Sequence, residues 1–148
     1  MERAACPCGR GDDERLPSEF LIAHDDHWSV VHAYSSGLLG WLILQPRRHV
    51  IHLADLTDEE AAGLGVWQVR LARALAEELG TPKAYVAGFG ESPGSHLHFH
   101  VVARPADLAQ DRAGPGVFGF LAAGEREKVS PAQRAELAAR LRARLAAH

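Results

Sequence analysis

Cysteine is scarce in this 148-residue chain: there are two, Cys6 and Cys8, two positions apart. Thiols that close together cannot staple a fold, which excludes a disulfide-built secreted scaffold. Basic charge is short as well. Sixteen Lys and Arg stand against nineteen Asp and Glu, for a formal net charge of -3. Without a cationic excess to displace counterions, no nucleic-acid partner is expected. No apolar run approaches the roughly 18 residues of a membrane span, so no membrane partner is expected either. Met1 to Cys6 hold no apolar signal stretch, and a cytoplasmic protein is the expectation. The phosphate-binding pattern GxxxxGK[ST] is also missing. What remains is 47% hydrophobic and 24% charged, enough to build a core, and residues 1–148 read as one domain.

Glycine, proline and polar clusters divide the chain into short elements. Phe20 to Ala23 and Trp28 to His32 are short and β-rich, as strands should be. Ser35-Ser36-Gly37 supplies a turn, and Leu38 to Leu44 is a continuous apolar run fit for a central strand, ended by Pro46. Thr57 with Glu60 makes a capping box, and Leu64, Leu71, Leu75 and Leu79 recur at helical spacing as far as Gly80 and Pro82. Tyr85 to Ala87 begins another strand. Past a Gly/Ser loop, His96 to Val102 alternates strictly and reads as a strand closed by Arg104 and Pro105. A loop with Gly114, Pro115, Gly116 and Gly119 leads to a last helix with Ser130 as cap, Pro131 at its first position and Gln133 completing a second capping box. Leu137, Leu141 and Leu145 form its apolar stripe, and Arg134, Arg140, Arg142 and Arg144 are expected on a solvated face.

Nine histidines are present, and three of them, His96, His98 and His100, are spaced two apart. On a strand such residues share a face at roughly 6.5–7 Å, while Leu97, Phe99 and Val101 fill the other face. Packing gives no reason for such a row, since each imidazole needs hydrogen-bond partners and three crowd positive charge when protonated. Two chemistries fit. Imidazoles bind transition metals, although residues four apart converge only if the strand bends. A neutral imidazole also attacks phosphorus and holds it covalently, with neighbouring imidazoles and backbone N–H groups on the phosphate oxygens. The preceding loop suits phosphate: Gly94 allows close backbone approach, and Ser92 and Ser95 offer hydroxyl donors.

The run His96-Leu97-His98-Phe99-His100-Val101-Val102 resembles the H-φ-H-φ-H-φ-φ signature of the histidine-triad superfamily of nucleotide hydrolases and transferases. Leu42 to Val50, with Pro46-Arg47-Arg48-His49 inside it, and Leu53 to Thr57 are similar to that family's strand, corner and helix start. The likeness covers about residues 6–105. Phe118 to Leu121, in the extension 106–148, resembles a bacterial diadenosine-polyphosphate-hydrolase-like subgroup. The resemblance implies an α+β fold, a five-stranded antiparallel sheet with two main helices, plus a C-terminal helix here, in a homodimer.

It also implies roles. His98 would be the nucleophile, His100 would contact phosphate, and His96 would support the nucleophile or ligate zinc. The substrate would be an AMP- or GMP-type conjugate cleaved at a P–N or P–O–P bond, as by a phosphoramidase or a dinucleoside polyphosphate hydrolase, with no cofactor needed for the chemistry. Relatives with a structural zinc hold it on two N-terminal cysteines, the corner histidine and the first triad histidine. The candidate set here is Cys6, Cys8, His49 and His96, and the alternative is two free thiols. The chain departs from phosphoramidase members in three places. The loop 88–95 has neither Asn nor Gln, Trp41 stands where a further histidine is expected, and Ala33 stands where a ribose-binding Asp is expected. A nucleotide-binding regulator with little turnover and a zinc-dependent hydrolase using the row as ligands are therefore kept beside the leading reading.

Overall fold

Two-residue alternation in the strands decides which side of the sheet is covered. The computed structural model describes residues 21–33, 36–91, 95–122 and 128–147. The expectations placed on Cys6, Cys8, Phe20, Ser35, Ser92 and Gly94 lie outside the described residues. Strands β1 (Leu21–His24), β2 (Trp28–His32), β3 (Trp41–Pro46), β4 (Ala84–Ala87) and β5 (Phe99–Ala103) form one antiparallel sheet in the order β1-β2-β3-β5-β4. Helices α1 (Asp58–Leu79) and α2 (Pro131–Ala146) complete the α+β architecture expected from the sequence. No helix among the described residues is long and apolar enough to cross a membrane.

The helices cover one face. Ile22, Trp28, Val30, Leu42, Leu44, Val101 and Ala103 of the sheet are buried in one cluster with Trp67, Leu71 and Leu75 of α1 and Leu137, Leu141 and Leu145 of α2. Each residue of this kind gains about 1.5–3 kcal/mol on burial, so the core is the main source of stability. The other face carries a smaller cluster, in which Trp41 and Val102 meet Leu38 and Val117. A 3-10 segment, Gly114–Ala122, crosses this face and brings Phe118, Phe120 and Leu121 against it. It is tied down where the Tyr85 hydroxyl accepts from the Gly114 N–H at 3.0 Å and where the Gly37 N–H donates to the Phe120 carbonyl at 3.0 Å.

Both capping boxes form, on Thr57 with Glu60 and on Ser130 with Gln133, and Gly80 ends α1 in the left-handed conformation. Glu60 also takes two hydrogen bonds from Arg48, at 2.8 and 2.9 Å, which fixes the corner before α1 and holds its carboxyl below the usual range.

The structure departs from the sequence expectation in several places. The central strand begins at Trp41 rather than Leu38, because Gly40 has φ +87° and breaks the extended run, and it reaches Pro46. The histidine strand begins at Phe99 rather than His96, since β3 pairs with β5 only from Leu44↔Phe99 onward. Arg134 is buried instead of solvated. Arg140 and Arg144 pair with Glu78 of α1, so the basic face of α2 clamps the two helices together.

Gly40 is a keystone of this turn. Its N–H donates to His32 Nε2 at 3.0 Å and its carbonyl accepts from the Ala103 N–H at 3.0 Å. A Cβ there would lie 2.6 Å from the Leu79 side chain and 3.0 Å from Ala103 Cβ. Gly40→Ala is expected to destabilise the fold by about 1–3 kcal/mol through strain and overpacking, read as a lower denaturant midpoint at unchanged slope.

Candidate active site

The three histidines meet different surroundings. His96 lies in the extended segment ahead of β5, which is held to the corner by the Leu97 N–H donating to the Val50 carbonyl at 2.7 Å. Its Nε2 sits 2.6 Å from the Pro46 carbonyl, which only accepts, so the proton is on Nε2. Its Nδ1 lies 3.1 Å from the Val50 carbonyl oxygen and 3.2 Å from the Val50 nitrogen, and with the proton on Nε2 it accepts from the Val50 N–H. Both ring nitrogens are engaged, and burial pushes His96 toward the neutral form.

His98 is half-buried, and its Nδ1 lies 2.8 Å from the His96 carbonyl. By the same reasoning Nδ1 carries the proton and Nε2 keeps its lone pair. Gly88, at the end of β4, packs against this segment: a Cβ there would sit 3.1 Å from the His98 carbonyl oxygen.

His100 is on β5, opposite Ile43 and Ala87, on the sheet face turned away from the helices. Its Nδ1 accepts the Trp41 indole N–H at 2.9 Å, which puts its own proton on Nε2. The His98 and His100 rings are edge-on with centroids 4.9 Å apart. Phe118 stands edge-on to His100 at 5.0 Å and to Trp41 at 5.3 Å. Phe89, exposed at the loop after β4, leans on Phe118 at 5.3 Å. Burial and the neighbouring His98 push the His100 pKa down to about 4.

The structure thus brings His98 and His100 together and places Ser95, half-buried, just ahead of them. His96 acts through its backbone carbonyl on His98. Of the four candidate zinc ligands, His49 and His96 are described, and they stack with centroids 5.4 Å apart. In this arrangement His96 presents no lone pair to a metal; ligation would require it to give up Pro46 or Val50. Nor does the row form a three-imidazole cradle, because only His98 Nε2 keeps an unengaged lone pair. Among the described residues no group of three or more His, Cys, Asp or Glu side chains is gathered to hold a metal ion. His32, at the end of β2, is fully buried and satisfied by the Ala33 carbonyl and the Gly40 N–H. Sequence reasoning treated Trp41 only as a departure and did not place Phe118 in the site. Neither contact has a local signal, since both arise from strand register and from the fold-back of the extension.

Comparison with known proteins bears on the fold. No family profile matches the chain, and no curated protein matches it. Solved structures do. A histidine triad protein from Sinorhizobium meliloti is 27% identical, covering 86% of this chain and 91% of that one at a TM-score of 0.67. The chain belongs to the histidine-triad superfamily. A zinc-bound histidine triad family protein from Mycobacterium smegmatis, 23% identical, covers 97% of this chain and 94% of its own at a TM-score of 0.67. A Plasmodium falciparum diadenosine triphosphate hydrolase, 13% identical, covers 89% and 80% at the same score. The NitFhit protein of C. elegans is longer, and this histidine-triad chain spans 28% of it.

The buried histidines make stability pH-dependent. His32 and His100 are both held near a pKa of about 4, from 6.5 in the unfolded chain. The unfolded state therefore binds more protons between these values. Stability is complete above about pH 6.5 and falls as pH drops toward 4, by of order 1–3 kcal/mol per histidine. Urea titrations across this window should show the decline, and His100→Asn, which keeps an acceptor for Trp41, should remove the His100 share of it and leave that of His32.

Proposed function

We propose that this histidine-triad protein is a nucleotide hydrolase or transferase that cleaves a P–N or P–O–P bond through a nucleotidyl-His98 intermediate. The observation that carries the reading is the 2.8 Å hydrogen bond from His98 Nδ1 to the His96 carbonyl, which leaves Nε2 as a fixed lone pair. That lone pair attacks phosphorus and forms an N–P bond. The bond to the amine, phosphate or nucleotide leaving group breaks, and its electron pair departs with that group, which takes a proton from water. The positive charge this places on the His98 ring is stabilised by the His96 carbonyl facing Nδ1–H. His100 Nε2–H serves as a neutral donor to a phosphate oxygen. Water then attacks phosphorus, the N–P bond breaks, and the nucleoside monophosphate is released with His98 restored.

The substrate of this reading is an AMP- or GMP-type conjugate, and the hydrolase name of the Plasmodium falciparum structural relative supports the dinucleoside polyphosphate class. No step is routed through a metal. Ser95, together with Ser92 and Gly94, is proposed on the phosphate side. The test is release of AMP from an adenosine phosphoramidate and from a diadenosine polyphosphate. His98→Ala is expected to lower turnover by on the order of a thousand-fold or more while leaving nucleotide binding measurable. Binding by the wild type with no turnover would replace this reading with that of a regulatory nucleotide-binding protein.

A homodimer is part of the same proposal. Strand β4 is one of the two sheet edges and exposes Val86, while α1 exposes Val66 and Val69. Light scattering should return twice the chain mass of 16.0 kDa, and a monomer at micromolar concentration would refute the expectation.

A further inference from the structure

Trp41 meets His100 in a way that fixes more than packing. An indole N–H is a donor and never an acceptor, so the imidazole nitrogen facing it must carry a lone pair. Trp41 Nε1 lies 2.9 Å from His100 Nδ1, and both side chains are buried. The indole itself has little room to turn. It is fully enclosed, its backbone pairs with Val102, its ring is edge-on to His100 at 5.7 Å, and Phe118 braces it at 5.3 Å. A hydroxyl, an amide or a water in the same place could donate or accept, and His100 could then take either tautomer. Here only one neutral tautomer is satisfied.

We infer that Trp41 is a positioning residue that locks His100 with its proton on Nε2, so that a neutral donor, and not a lone pair, stands beside the nucleophilic ring of His98. The inference rests on the proposed reaction, whose phosphate oxygens give that donor its use. A lone pair on His100 Nε2 would face those oxygens repulsively, so loss of the lock removes a hydrogen bond and adds a repulsion. Burial acts in the same direction, since it keeps His100 uncharged at neutral pH.

The experiment is nitrogen-15 NMR of the histidine rings in wild type and Trp41→Phe, together with steady-state kinetics. The wild-type His100 ring should show a protonated Nε2 and an accepting Nδ1. Trp41→Phe, which keeps a ring but removes the N–H, should give a mixture of tautomers. It should lower kcat by roughly 10- to 100-fold with KM changed far less, the scale of one lost transition-state donor. In a His100→Asn background the same substitution should have no further effect on kcat, whereas a merely structural role would persist there. A protonated Nδ1 on His100 in the wild type overturns the inference even if Trp41→Phe fails to fold. An unchanged tautomer and kcat in a folded Trp41→Phe also overturns it. Tautomer scrambling in a protein that turns over no nucleotide conjugate supports the lock and sinks the proposed reaction instead.

Discussion

Covering one face of a five-stranded sheet with two helices is the constraint on which the rest of this molecule depends. Because side chains alternate along a strand, Leu42, Leu44, Val101 and Ala103 must face the helices once that core forms. The same register sends Trp41, Ile43, His100 and Val102 to the opposite side. A slip of one residue between β3 and β5 would bury His100 among leucines and expose Val101. The free energy that fixes the position of His100 therefore comes from apolar residues that never touch a substrate.

The electrostatic character of the site follows from the same layering. The histidine side of the sheet is roofed by Phe118 and Trp41, which desolvate His100 without offering it a countercharge. His96 is neutralised by burial while backbone groups occupy both of its nitrogens. Imidazoles that would repel one another as cations are thereby held neutral and donate or accept in fixed directions. A row of three histidines becomes three distinct groups: a carbonyl provider, a ring with a lone pair on Nε2, and an N–H donor.

Much of this was legible in the sequence. Thr57 with Glu60 and Ser130 with Gln133 announce their helices because capping is a local interaction. The alternation from His96 to Val102 announces a chemical row because chance and packing rarely produce one. The start of β5 at Phe99 was not legible, since strand limits depend on a partner strand whose register lies in distant residues. Gly40, with a positive φ inside an apolar run, hid the true start of β3 for the same reason. The pairing of Trp41 with His100 spans 59 positions and has no local trace. Arg134 illustrates the opposite error: a helical charge pattern suggested solvent, and packing of α2 overrode it.

The Gly114–Ala122 segment bears on how the protein comes off the ribosome. The sheet and α1 are complete once Ala103 has emerged, yet the wall against His100 and Trp41 waits for Phe118, and the helical cover of β1 waits for α2. A nascent chain that has just made its histidine row therefore holds those rings, and the part of its core that Leu137, Leu141 and Leu145 cover, open to solvent until residues 114–146 are synthesised. A chain cut short before Phe118 would lack the wall against His100, a consequence of the order in which this sequence is read.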